Sequence, residues 1–321
     1  MKYLILTNHS YMLWQFRREL IQRLLERGQV VIGTPFCGRQ EEFARIGCRC
    51  VETPMDRRGI TPGKDLRLLA QYRSLLRTER PDLVLTYAIK PNIYGGGLCR
   101  SMGIPYCANV QGLGSAFSGN PMAALVTELY RRALDRAGTV FFENRADEGE
   151  FLYRGILRGE HTVLHGAGVN LAHYGMQPYP VGAEGVTFLF LGRFMREKGV
   201  EELLSAARKL KSRFGEQVRF VLAGFFEEPY QKAVEGLVRE GVADFLGFVP
   251  DPRPCYRRAH CVVIPSYREG MSNVLLEAAA SGRPVIASDV PGCREAVEDG
   301  RTGLLVPPGN AEALYQGMCR F

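Results

Sequence analysis

The sequence predicts an α/β protein made of two Rossmann-like, doubly wound domains in tandem. Three observations carry this. Apolar runs of four to six residues alternate with segments of helical period along the chain, the pattern of parallel strands joined by crossover helices. The rhythm breaks once, between residues 165 and 185, where five glycines and two prolines leave no sustained periodicity and read as an interdomain linker. The length of 321 residues, with 46% hydrophobic and 23% charged content, suffices for two buried cores and excludes disorder, collagen and coiled coil. The expected domains are residues 1–172 and 173–321.

In the first domain, strands are expected at 2–7, 29–33, 49–53, 83–86, 106–109 and 139–142, each a short apolar run. The intervening segments of helical period place helices at 13–26, 40–46, 64–78, 93–101, 121–136 and 146–153. After the linker, strands are expected at 186–191, 219–223, 245–247, 261–264, 284–287 and 303–306. Helices follow at 200–213, 228–240, 272–280 and from 311 onward. Ligands of such sheets bind outside the carboxyl ends of the strands, so two facing sheets would hold them in a cleft, and function is sought in strand-to-helix loops.

The longest candidates are short runs such as VTFLFL at 186–191, far short of the roughly 20 residues that span a bilayer. The opening MKYLILTNHS has too short an apolar stretch for a signal peptide, so a cytoplasmic location is expected. Nine cysteines form no C-x-x-C pair and suggest reduced, mostly buried thiols. His161, His165 and His173 have no cysteine nearby and make a poor zinc set. The net charge of +7 lies wholly in the first domain, which holds 23 Lys and Arg against 16 Asp and Glu; the rest of the chain balances at 18 against 18. That asymmetry suits an anionic partner (acidic lipid, a pyrophosphate or nucleic acid), or else is only a basic, solvated face.

In the second domain the strand VTFLFLG runs straight into RFMREKGVEELLSAARKL, which puts Arg193 and Lys198 just before an amphipathic helix. Two cations there are awkward unless an anion joins them, and a diphosphate would do so. The alternative pairs Lys198 with Glu201 or Glu202 and leaves Arg193 in solvent. After the strand CVVIPS comes YREGMSNVLLEAAASGRPVIASD at 267–289. Gly270 permits a tight turn, and Ser272 or Asn273 can cap a helix whose amides face a phosphate. Glu269 stands at the mouth, suited to a sugar ring, and Glu277 about one turn inside the helix, suited to a ribose diol. The plain alternative for Glu277 is a solvated helix glutamate, although it lies outside the position that a capping box needs.

The spacing of Glu269 and Glu277, the stretch ASGRPVIASDVPGCREAVEDGRTGLLVPPGN and the segment GRFMREKG together resemble the retaining glycosyltransferases of family 4, which have the two-domain GT-B fold. The resemblance runs over nearly the whole chain. YAIKPNIYGG at 87–96, ANVQGLGSAF at 108–117 and VFFEN at 140–144 are similar to the branch that builds polysaccharide, O-antigen or capsule glycans on polyprenyl-diphosphate lipids. The resemblance implies transfer of a hexose or N-acetylhexosamine from a nucleotide-diphosphate sugar, with UDP expected, to a lipid-linked saccharide. It implies that Arg193 and Lys198 bind the donor diphosphate. Glu269, with Gly270, Met271, Ser272 and Asn273, would hold the transferred sugar and phosphate, and Glu277 the ribose. Catalysis would rest on Glu269, Arg193 and Lys198, with no metal and no cofactor beyond the nucleotide sugar.

On the same footing, the first domain is the acceptor domain. His9 lies at a strand end, before Tyr11, Trp14 and Phe16 interleaved with Arg17 and Arg18, a pattern that suits either a membrane-surface helix or an amphipathic core helix with a basic face. Lys90 and Asn92 follow another strand, with Lys90 a contact for the acceptor pyrophosphate or merely a solvated lysine. Gln111 and Gly112 open a glycine loop in which some relatives place a histidine just upstream; here 109–111 reads Asn-Val-Gln, which puts a histidine general base in doubt. Relatives also continue through further helices, whereas this sequence stops at Phe321, so the C-terminal domain is expected to be incomplete and domain closure weakened. The expected setting is the inner face of the plasma membrane, reached through the basic domain, without nucleic acid. The rivals are a non-catalytic donor-binding subunit, which would show no transfer alone, and a GT-B epimerase, which would alter free nucleotide sugar without an acceptor.

Overall fold

The computed structural model describes residues 1–321 except 57, 58, 60, 114–116, 118–121 and 181–184. The chain divides into two compact units, Met1–Ala167 and Gly168–Phe321. The division falls a little before the expected 172/173, and Val169 and Tyr174 already pack in the core of the second unit.

The first unit runs β1 (Lys2–Leu6), α1 (Ser10–Leu25), β2 (Gln29–Thr34), α2 (Gln40–Arg45), β3 (Arg49–Glu52), α3 (Pro62–Glu79) and β4 (Leu83–Tyr87). A π turn (Pro91–Gly95) leads into α4 (Gly96–Met102), followed by β5 (Tyr106–Val110), α5 (Ala123–Leu134), β6 (Thr139–Phe142), α6 (Arg145–Tyr153) and β7 (His161–Val163). Its seven strands are parallel, in the order β3-β2-β1-β4-β5-β6-β7. Strand β1 shows why the run is continuously apolar: both faces are covered. Leu4 and Leu6 pack with Tyr72 and Leu76 of α3, while Tyr3 and Ile5 pack with Leu13 and Ile21 of α1.

The second unit runs β8 (Val186–Leu191), α7 (Val200–Phe214), β9 (Val218–Ala223), α8 (Gln231–Arg239), β10 (Ala243–Phe245), α9 (Arg253–Arg258), β11 (Cys261–Ile264), α10 (Asn273–Ala280), β12 (Val285–Ser288), β13 (Gly303–Val306) and α11 (Ala311–Cys319). The strand order is β10-β9-β8-β11-β12-β13, again all parallel. Phe188 and Phe190 of β8 bury against Leu203, Ala207 and Leu210 of α7 and Leu314 and Met318 of α11. Leu189 and Leu191 meet Tyr256, Leu275 and Ala278 on the other face.

Both sheets are doubly wound, and their order reverses at β1/β4 and at β8/β11. Loops leaving the carboxyl ends of those four strands flank the switch points where such sheets take their ligands.

Two elements were not expected. β7 is three residues long, and its strand state comes from pairing with β6. α9 starts on a proline-led turn, and only Cys255 and Tyr256 in it are buried, too few for a visible period. The strand expected at 245–247 is shifted to Ala243–Phe245 because Gly247, at φ 66°, leaves extended geometry. The helix expected from 228 starts at Gln231, since Pro229 disfavours helical backbone at the preceding residue. All nine cysteines are free thiols, and five of them are buried.

Candidate functional site

In the second unit, the loop after β8 and the loop after β11 are bonded to each other. Arg193 follows β8, and a single 3-10 turn, Arg196–Lys198, ends on Gly199 at φ 66°. Only glycine fits at 199: a Cβ there would stand 2.0 Å from the Pro265 carbonyl oxygen. The Tyr267 amide donates to the Glu197 carbonyl at 2.8 Å, and the Tyr267 hydroxyl donates to Glu202 at 2.6 Å. Lys198 Nζ meets Glu269 Oε1 at 2.6 Å across 71 residues of sequence. From the other side, Gly292 brings its backbone so close that a Cβ would lie 2.5 Å from the Gly270 carbonyl oxygen.

This geometry settles the electrostatic question at the start of α7. Lys198 pairs with neither Glu201 nor Glu202 but with Glu269, and Arg193 pairs with Glu227 at 2.5 Å instead of standing free in solvent. An incoming diphosphate would therefore compete with Glu269 and Glu227 for cations that these carboxylates already hold at the loop. Gly199→Ala should cost about 3 kcal/mol, from left-handed strain and the clash with Pro265. Urea unfolding of the second unit would check it.

Along α10, Ser272 occupies the N-cap position but makes no side-chain bond to the first turn. Met271 turns its side chain into the interior at 4% exposure, leaving only its backbone for a ligand. The Asn273 Oδ1 and Ser266 Oγ atoms are buried without a hydrogen-bond partner at this edge of the sheet, the kind of debt a bound ligand settles. Glu277 is not a solvated glutamate: it is 6% exposed, and Tyr256 donates to its Oε2 at 2.8 Å. Burial pushes its carboxyl up from 4.5 to about 7, against the opposing pull of hydrogen bonds from Tyr256 and Tyr174. Because the folded value lies above the unfolded one, this group's contribution to stability is full below about pH 4.5 and is lost as pH rises through about 7. Glu277→Gln should remove that slope, by about 3 kcal/mol at most, in urea midpoints taken between about pH 5 and about pH 8.

In the first unit, His9 caps α1, its ring accepting from the Met12 amide, with Nδ1 3.3 Å from the Cys37 thiol. Lys90 is held by Asp65 at 2.7 Å and is largely buried. Ala88, just before it, sits at φ 74°, a costly conformation for a residue with a Cβ that sets the sharp exit from β4. Asn92 corrects the expectation of acceptor contact: it is fully buried, with its carbonyl oxygen bonded to Thr86 and its amide to the Asn109 carbonyl, so it braces β4 against β5. Gln111 is exposed and Gly112 has φ 123°, but residues 114–116 of the same glycine loop lie outside the described residues. Of the aromatic and basic residues of α1, Arg17 is largely buried, paired with Glu143 at 2.8 Å and stacked over Tyr87; Arg18 lies over Trp14, itself packed on Phe43.

Sequence reasoning missed several of these partners. Glu227 follows β9 in the same kind of strand-to-helix loop as Arg193, a position that could have flagged it. Tyr256 lies in the unexpected α9, and Tyr174 in the stretch read as linker, so no local signal joined either to Glu277. Phe225 and Phe248, exposed beside each other after β9 and β10 with ring centres 6.4 Å apart, were also passed over.

Two doubly wound parallel sheets, with paired cations and a helix N-terminus at the switch point of the second, have the architecture of the GT-B fold. The family model described as "Glycosyl transferase 4-like domain" matches residues 13–193, and "Glycosyl transferases group 1" matches residues 185–321. The chain belongs to this glycosyltransferase family, and hexosyltransferase is the enzyme class that its relatives support. One relative is the N,N'-diacetylbacillosaminyl-diphospho-undecaprenol alpha-1,3-N-acetylgalactosaminyltransferase of Campylobacter jejuni, 25% identical over 326 residues, covering 95% of this chain and 85% of that protein. A D-inositol 3-phosphate glycosyltransferase of Kribbella flavida is 40% identical over 139 residues, 40% of this chain and 33% of its own length. Among solved structures, Anabaena HepE in complex with UDP and glucose aligns over 100% of this chain and 90% of its own, with TM-score 0.78 and 20% identity. Sucrose-phosphate synthase from Thermosynechococcus elongatus aligns over 100% and 89%, with TM-score 0.77 and 23% identity. These two show the shared fold.

Proposed function

We propose that this chain transfers a hexose or N-acetylhexosamine from a nucleotide-diphosphate sugar to a lipid-linked saccharide, with retention of anomeric configuration. The observation that carries the reading is the Lys198–Glu269 pair at the mouth of the α10 N-terminus, with Glu277 buried one turn inside. The Campylobacter relative, named for an acceptor on a polyprenyl diphosphate and alike over 95% of this chain, supports the acceptor class.

In this reading Lys198 and Arg193 take the donor diphosphate, the backbone of 270–273 takes a phosphate oxygen at the helix end, and Glu277 accepts hydrogens from the ribose. Glu269, released from Lys198, contacts the sugar. The bond from the anomeric carbon to the phosphate oxygen breaks as charge grows on the diphosphate, and the fixed cations and amides bind that charge better in the transition state than before it. The acceptor hydroxyl attacks from the face the phosphate leaves, a new carbon–oxygen bond forms, and the hydroxyl proton passes to the departing phosphate oxygen. The cations fill the place of a divalent metal. Lys90, drawn from Asp65, would meet the acceptor pyrophosphate, with His9, Gln111 and Gly112 around it. The basic first domain would bring the enzyme to an acidic membrane surface; among the described residues no helix is long and apolar enough to cross one.

UDP, the nucleotide in the HepE complexes, is the first ligand to try. Because an ionised Glu277 is what bonds a ribose diol, UDP affinity should rise about tenfold between about pH 6 and about pH 8. Calorimetry on the wild type and Glu277→Gln checks this, the variant being weaker and nearly flat. The function itself is tested by transfer of radiolabelled sugar from UDP-N-acetylgalactosamine and UDP-glucose to polyprenyl-diphosphate sugars. Transfer to the lipid, with the label in the donor's anomeric configuration, bears the reading out. Consumption of donor without an acceptor, or binding without transfer, would replace it with the epimerase or the donor-binding subunit.

A further inference from the structure

The surroundings of Glu277 are more elaborate than a ribose contact alone requires. Tyr256, fully buried on α9, gives its hydroxyl to Glu277 Oε2, and Tyr174, 7% exposed, hydrogen-bonds the same carboxylate from the segment that leads into β8. The two rings meet edge to face at 6.4 Å. Both segments are held by one side chain. Arg283, 3% exposed, donates to the carbonyls of Gln177 and Pro178 on the Tyr174 side and to those of Tyr256 and Arg257 on the α9 side. The nearby charge is Asp251, which is bonded to Arg253 and disfavours ionisation of Glu277. Of the titratable groups around the cluster, Cys255 has its thiol pushed up by burial, and the His173 ring stands edge to face on Tyr174 at 5.0 Å. The groups that favour the charged carboxylate here are thus the two hydroxyls.

We propose that Tyr256 and Tyr174 are positioning residues for nucleotide binding: their converging hydroxyls fix the Glu277 carboxylate in one orientation and favour its charged form against burial, ready to accept a ribose diol. This rests on the donor-site reading above. A buried carboxylate without donors would be neutral at physiological pH and would offer the ribose a single acceptor and a competing hydroxyl. With two phenols donating to it, its free lone pairs face the ligand.

The test is a pH series on Tyr256→Phe and on Tyr174→Phe. The Tyr174 variant, on the segment that leads into β8, covers the case in which the fully buried Tyr256 variant fails to fold. Two readouts separate the layers of the argument. The Glu277 carboxyl carbon, identified by its loss in Glu277→Gln, is followed by ¹³C NMR in the free protein, and UDP and 2′,3′-dideoxyuridine diphosphate are titrated calorimetrically. Either variant is expected to move the Glu277 midpoint up by about one pH unit and to move the UDP binding profile with it. UDP affinity should therefore fall about tenfold near pH 6 and recover at high pH. A midpoint that stays in place, or a loss of affinity equal at every pH, overturns the proposal and leaves the tyrosines as packing. A midpoint that moves while wild-type protein binds the dideoxy nucleotide as well as UDP overturns the assignment of Glu277 to the ribose, and the positioning role with it.

Discussion

Lys198→Ala should lower the transfer rate by roughly 10²–10³-fold, the cost of removing one preorganised donor from a charge that grows in the transition state. The effect follows from what the lysine does in the free protein. Its ammonium is held 2.6 Å from Glu269, both side chains largely buried, between a loop locked by Gly199 and one crowded by Gly292. Arg193, paired with Glu227, stands on the same β8 loop but carries its own share of the diphosphate and does not make up for the lost ammonium. Loss of Lys198 also leaves Glu269 as an unpaired acid beside the incoming diphosphate, so like-charge repulsion adds to the missing attraction. The double variant Lys198→Ala, Glu269→Gln should then bind UDP more tightly than Lys198→Ala alone while remaining slow in transfer. Equal UDP affinities would show that the pair is not at the diphosphate.

Arg283→Ala should destabilise the second unit by about 3–5 kcal/mol, the range for stripping the donor from several buried acceptors at once. Its guanidinium donates to the carbonyls of Gln177, Pro178, Tyr256, Arg257 and Gly282, and lies over the Tyr179 ring. Among the described residues its acceptors are carbonyls and not carboxylates, and burial lowers its pKa. It is a clamp on main chain, and lysine, with three donors on a point charge, should restore less than half of the loss. Urea unfolding measures the effect. A change under about 1 kcal/mol would mean that these carbonyls find other partners.

The sequence was most informative where one element explains itself. The runs at β1, β8 and β11 are apolar on both faces because parallel strands between two helix layers must be, and Gly199 and Gly292 mark backbone crossings that no other residue permits. Candidate site residues were legible where they lie on strand-to-helix loops, as Arg193, Lys198, Glu269 and Ser272 do. What stayed hidden were the partners. Lys198 could be given Glu201 or Glu202 by helical spacing, and only the tertiary approach of the β8 and β11 loops supplies Glu269. For Glu277 the sequence left a ribose contact and a solvated helix glutamate open, and only α9 and the segment before β8 bury it. Asn92 reads as a loop residue, yet the π turn after β4 carries it inside to brace two strands.

The central claim is that the second unit holds a nucleotide diphosphate with its phosphates at Lys198 and its ribose at Glu277. Calorimetric titration of uridine, UMP and UDP into the wild type, Lys198→Ala and Glu277→Gln tests it most directly. The account predicts that the wild type binds UDP at least about tenfold tighter than UMP, that Lys198→Ala erases that preference, and that Glu277→Gln weakens both nucleotides alike. A wild type that binds all three equally, or a UDP preference untouched by Lys198→Ala, would contradict it.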